Sequence, residues 1–122
     1  MQEIFMGVDV SKGYSDFVIL NASEGIFWDC FQLDDTYAGH AQLQKLLDRI
    51  FADEPEISLY IGVESTGGYE NNWYAFFSDQ AARYNIYVTR LNPIGVYHYV
   101  KSAQKTVTTD RESAKSIAEY LI

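Results

Sequence analysis

From Ile4 to Val10 the chain is almost continuously apolar, and the one interruption is a carboxylate, Asp9. A run of this kind reads as a β-strand covered on both faces. It therefore calls for a fold with material packed above and below a sheet. It also poses a problem, because an ionised carboxylate on a buried strand is strongly disfavoured unless it is paired, hydrogen-bonded or bound to a cation. The only adjacent basic residue is Lys12, past the strand's end. Asp9 either caps the turn at Ser11-Lys12-Gly13 or serves a cation.

The patterns that follow supply the covering layers. After the Lys12-Gly13 turn comes Phe17 to Leu20. A second turn at Ser23-Glu24-Gly25 leads into Ile26-Phe27-Trp28, ending near Leu33. Short glycine-containing loops between apolar runs predict an antiparallel meander. Leu43, Leu46, Leu47, Ile50 and Phe51 then fall on one face of a helix, with Asp35 or Thr36 as its cap and Pro55 as its stop. Ile57 to Val63 is a fourth strand ending at Glu64. The loop Ser65-Thr66-Gly67-Gly68 opens a helix with Trp73, Phe76, Phe77, Ala81 and Tyr84 on one side. Ile86-Tyr87-Val88 is a fifth strand, and Asn92-Pro93 opens a short helix. The last helix begins near Thr109 and carries Ala114, Ile117, Ala118 and Leu121 as its apolar stripe. This order predicts an α/β fold, a mixed five-stranded sheet with helices on its faces, in which strands joined through helices are parallel neighbours. It is the order of ribonuclease-H-like domains. The chain ends at Ile122 inside a helical pattern, which suggests a fragment of a longer protein.

Length and composition narrow the function classes. With 122 residues, 48% of them hydrophobic and 16% aromatic, the chain is sized for one domain with a real core. No apolar run approaches the roughly 20 residues of a membrane helix, and Met1-Gln2-Glu3 lacks the features of a signal peptide. The lone Cys30 excludes an internal disulfide and a multi-thiolate zinc site. A cytoplasmic protein is expected. Nine basic against seventeen acidic residues leave a net charge of −8, whereas a domain that grips nucleic acid unaided is normally basic. Either nucleic acid is not the ligand, or the basic surface lies elsewhere, or some carboxylates hold metal.

Two more acids stand out. Glu64 sits where the fourth strand runs out, and ligands of open sheets collect at the carboxyl ends of parallel strands. If the first and fourth strands are parallel neighbours, Asp9 and Glu64 approach each other, and two like charges raise one pKa or recruit a cation. Magnesium suits such a site, since it takes oxygen ligands and often uses one or two carboxylates. Equally, Glu64 reads as a surface charge at a strand end. Asp110 opens the last helix within Thr109-Asp110-Arg111-Glu112, which also matches a capping box.

Three segments together resemble a family. Gly7-Val8-Asp9-Val10-Ser11-Lys12, Glu64-Ser65-Thr66-Gly67-Gly68-Tyr69-Glu70, and Thr109-Asp110-Arg111 followed by Ala114, Ile117, Ala118 and Tyr120 are similar to the DEDD transposases of the IS one-ten insertion-sequence group, of which the site-specific DNA invertase Piv is a relative. The resemblance spans the chain, residues 1–122, and implies an N-terminal RuvC-like catalytic domain that cleaves and rejoins DNA strands in transposition. It implies Asp9, Glu64 and Asp110 as catalytic metal ligands for Mg2+ or Mn2+, with two metal sites in the family. The family's fourth acid falls at Ser113, and a serine leaves the second site open. The resemblance further implies DNA and a structured guide RNA as partners, a homo-oligomer at full length, and a separate C-terminal domain with a nucleophilic serine. The isolated fragment is then expected to be inactive in strand exchange. Lys12, Lys101, Lys105, Arg111 and Lys115 are candidate phosphate contacts, or, for those around the last helix, a solvated helix face. His40 and His98 lack metal-ligand spacing and read as surface or packing residues.

Two other readings compete. An assembly or RNA-docking module of the same fold would be catalytically impaired by Ser113. An actin-like or sugar-kinase half-domain also opens on a Gly-Val-Asp strand, but it needs a Gly-rich phosphate hairpin, for which Val10-Ser11-Lys12-Gly13 is a poor substitute.

Overall fold

The computed structural model describes residues 2–92, 95, 96, 99 and 110–122. The elements in chain order are β1 (Glu3–Ser11), β2 (Tyr14–Asn21), β3 (Ile26–Asp34), α1 (Tyr37–Asp53), β4 (Ser58–Glu64), α2 (Asn71–Gln80), β5 (Ile86–Leu91) and α3 (Asp110–Leu121). The five strands form one sheet in the order β3-β2-β1-β4-β5. The β1–β2 and β2–β3 pairs are antiparallel, and the β1–β4 and β4–β5 pairs are parallel. The expected mixed five-stranded sheet is present. Most of the short helix expected after Asn92 lies outside the described residues, as does the cap residue Thr109.

Period-two alternation assigns each strand's side chains to a layer. On β1, Ile4, Met6, Val8 and Val10 face α1 and α2, where they pack with Leu43, Leu47, Ile50, Trp73 and Phe77. On β2, Phe17 and Ile19 join that layer, while Val18 and Leu20 turn to the opposite face and meet Ala114 and Ala118 of α3. The first strand is covered on both faces, as its apolar run demands.

Local chemistry sets the helix ends. Thr36 caps α1, its hydroxyl accepting from the Gly39 N–H at 3.1 Å. The second helix is shorter than its stripe suggests. It stops at Gln80, and Ala81 is exposed in the turn that follows. Both Arg83 and Tyr84 donate their N–H to the Gln80 carbonyl, tightening the chain out of the helix before β5.

Glycine decides how close α3 comes. A Cβ on Gly7 would stand 1.9 Å from the Ala114 carbonyl oxygen and 2.5 Å from the Ala118 nitrogen. Gly62 is the register partner of Gly7 on β4, and a Cβ there would meet the Leu91 and Leu121 side chains. The paired glycines form a shallow trough in the sheet, and α3 lies across it on bare backbone.

Candidate active site at the carboxyl ends of β1 and β4

The face that α3 covers carries the candidate acids. Phe5, Gly7 and Asp9 share it on β1, and Tyr60, Gly62 and Glu64 share it on β4. The Phe5 and Tyr60 rings stack at 5.3 Å, and Gly7 pairs with Gly62. The β1–β4 register runs to Val8 and Val63. One step further brings Asp9 beside Glu64, at the carboxyl ends of two parallel neighbours. The acids stand two residues, about 6.5 Å along the strand, beyond the glycines on which α3 rests.

The hairpin adds a carboxylate that sequence reasoning did not single out. Asp16 is the cross-strand partner of Asp9, and Gln32 on β3 is in turn the partner of Asp16. Asp16 is only 4% exposed, and its Oδ1 accepts from the Gln32 amide at 3.1 Å. Gln32, Asp16, Asp9 and Glu64 thus form a polar row across four strands. The signal for Asp16 is arithmetic: if Lys12-Gly13 is a two-residue turn, residue 9 must face residue 16.

Glu64 carries the clearest electrostatic signature. Burial pushes its carboxyl above the ordinary glutamate range. Among the described residues none hydrogen-bonds or ion-pairs with it. A half-buried acid with no compensating partner among the described residues, beside a second acid, suits a cation.

The third acid is placed by its backbone. Asp110 is the first residue of α3, one turn before Ala114, whose carbonyl lies against Gly7. Its side chain lies outside the described residues. Among the described residues, no three His, Cys, Asp or Glu side chains gather into a metal-holding group. Ser113 is half-buried on α3.

The candidate phosphate contacts divide. Lys12 is exposed in the β1–β2 turn, and Lys115 is half-buried on α3. Arg111 is engaged elsewhere: its Nε donates to Asp29 Oδ1 on β3 at 2.8 Å. That bond, with the Cys30 N–H, holds the Asp29 carboxyl below its usual range. Lys101 and Lys105 lie outside the described residues, as does His98. His40 lies on the other side of the sheet, stacked on Trp73 at 4.3 Å and paired with Asp35 at 2.7 Å.

The loop after Glu64 is tied by Glu70, which the sequence offered only as the last residue of a family-like segment and gave no role of its own. Glu70 is 3% exposed. Its Oε1 accepts from the N–H groups of Thr66 at 3.1 Å and Gly68 at 3.0 Å, and its Oε2 accepts from the Ser65 hydroxyl at 3.3 Å. The Arg90 guanidinium stands 3.6 Å from Oε2 and lies 3.9 Å over the Tyr74 ring. Burial works to raise the Glu70 carboxyl, but the backbone N–H groups and Ser65 outweigh it and leave it below the ordinary range.

The fold has counterparts among solved structures. The chain superposes on RuvC of T. thermophilus, solved in complex with a Holliday junction substrate, with a TM-score of 0.66 and 6% identity, covering 97% of this chain and 91% of that one. It also superposes on the fowlpox virus Holliday junction resolvase, with a TM-score of 0.53 and 13% identity, covering 97% and 94%. The fold is therefore the RuvC-like, ribonuclease-H-like α/β fold. No curated protein matches the sequence. The family model of the IS110 DEDD transposases, described as "Transposase", matches residues 6–122, and the chain belongs to that family.

Proposed function

We propose that residues 1–122 form the strand-cleaving catalytic domain of a transposase, and that Asp9, Glu64 and Asp110 hold a divalent ion, magnesium or manganese. The observation that carries this reading is the lateral placement of Asp9 and Glu64 on the α3 face of β1 and β4, with Glu64 half-buried and lacking a described partner. The donors are all carboxylate oxygens, the set that hard divalent cations take. When bound, such ions activate an attacking oxygen and stabilise the leaving one.

The chain's own residues do the positioning. The β1–β4 register fixes the lateral spacing of Asp9 and Glu64. Docking of α3 on Gly7 and Gly62 fixes the height of the helix that begins at Asp110. Ser113 offers a hydroxyl where the family carries its fourth acid, so it donates a hydrogen bond but no charge, and a second ion is held more weakly. The substrate is DNA, cleaved and rejoined in transposition. Lys12 and Lys115 are the candidate phosphate contacts among the described residues, and a structured guide RNA and further copies of the chain complete the assembly in the cytoplasm.

Manganese titration followed by electron paramagnetic resonance tests the site. Asp9→Asn, Glu64→Gln and Asp110→Asn should each weaken binding by about tenfold or more, since each removes a charged ligand. The same variants should abolish metal-dependent nicking of branched DNA by the full-length transposase. Parent-like manganese affinity in all three variants would refute the reading.

A further inference from the structure

We infer that Glu70 is a positioning residue of this site: its carboxylate clamps the loop after Glu64 and so fixes where Glu64 presents its oxygens. The inference rests on the reading of Glu64 as a metal ligand. Glu70 occupies the residue before α2, where a side chain ordinarily caps its own helix, yet it makes no such bond. It turns back instead and gathers three donors from Ser65, Thr66 and Gly68. The positive φ values of Gly67 and Gly68, 64° and 97°, bend the loop around that carboxylate. A nearly fully buried carboxylate is a costly way to close a surface turn, and here Arg90 of β5 stands against it.

The consequence falls on Glu64. Before it, Val63 is fixed between β1 and β5. After it, the Ser65 N–H donates to the Leu91 carbonyl at 3.0 Å, and the Thr66 N–H is held by Glu70. The backbone of Glu64 is thus pinned on both sides. A metal ligand tolerates little slack, and groups that orient ligands without touching the ion typically change affinity by about 10–100-fold when lost.

Two variants separate reach from charge. Glu70→Asp keeps the charge but withdraws the acceptor by one methylene. Glu70→Gln keeps the Oε1 acceptor that holds Thr66 and Gly68 but removes the charge. Manganese affinity is read by electron paramagnetic resonance, and loop order by amide hydrogen exchange at Thr66 and Gly68 without metal. Glu70→Asp should speed exchange at both amides and weaken manganese binding by about tenfold. Glu70→Gln should keep the amides protected and bind manganese close to the parent. Parent-like affinity in Glu70→Asp, or a larger loss in Glu70→Gln than in Glu70→Asp, would overturn the positioning role. Asp9→Asn and Glu64→Gln run alongside: if neither weakens manganese binding, the metal site itself fails, a result distinct from failure of Glu70 alone.

Discussion

Gly7→Ala tests the trough beneath α3. The added Cβ would lie 1.9 Å from the Ala114 carbonyl oxygen, whereas side-chain β-carbons essentially never come within 3.0 Å of another heavy atom. Opening 1.9 Å to 3.0 Å requires a shift of about 1.1 Å. The obstacle is helix backbone, which has no alternative rotamer, so α3 must move as a body. That motion loosens Ala114 and Ala118 from Val18 and Leu20. Overpacking costs about 1–3 kcal/mol, and an unyielding contact places this change at about 2–3 kcal/mol. Without the clash the sign would reverse, because alanine in a strand is favoured over glycine by about 0.5–1 kcal/mol. Urea denaturation should show a lowered midpoint with an unchanged slope. Manganese affinity should fall as well, because Asp110 rides on the displaced helix. An unchanged or raised midpoint would refute the packing argument.

Other outcomes follow from the same structure. Glu64→Gln should raise the melting temperature in EDTA at neutral pH. A pKa raised by burial means that ionisation destabilises the fold as pH climbs from the ordinary value of 4.5 through the raised one. The gain should vanish below that window, where the native carboxyl is already neutral. Arg111→Gln should leave the urea midpoint close to the parent's, since its pair with Asp29 is largely exposed. Because the Asp29 pKa is lowered, whatever the pair contributes should be lost only as pH falls below the ordinary 3.8. Phe77→Ala, at a fully buried site, should cost about 3–5 kcal/mol by the same assay. Ser113→Asp should strengthen manganese binding by supplying the family's fourth carboxylate, as a titration would show.

Much of this fold was legible because period two and period 3.6 are local properties. The run from Ile4 to Val10, the Leu43–Phe51 stripe and the strand ending at Glu64 each announce themselves within a short window. Asp9 and Glu64 were legible for a second reason: one breaks an apolar run and the other terminates one. Asp16 was not, because Tyr14, Ser15 and Asp16 look like turn residues until the hairpin register makes them strand. Glu70 hid in a different way, since it stood at the end of a family-like segment with no local sign that its carboxylate turns back. Its turn back to Thr66 and Gly68 depends on the positive φ of two glycines. The pairing of Arg111 with Asp29 was out of reach, because nothing local links a helix start to an edge strand so distant in sequence.

From Arg111, tied to Asp29 on β3, to Leu121 above Gly62 on β4, the last helix spans the sheet like a crossbar. Sliding one strand against its neighbour would mean prising that bar off several of them at once. The strands that carry the acids of β1 and β4 are therefore braced by the helix as well as by their own ladders, and a load pulling on the first strand would be shared across the sheet before it reached the acids.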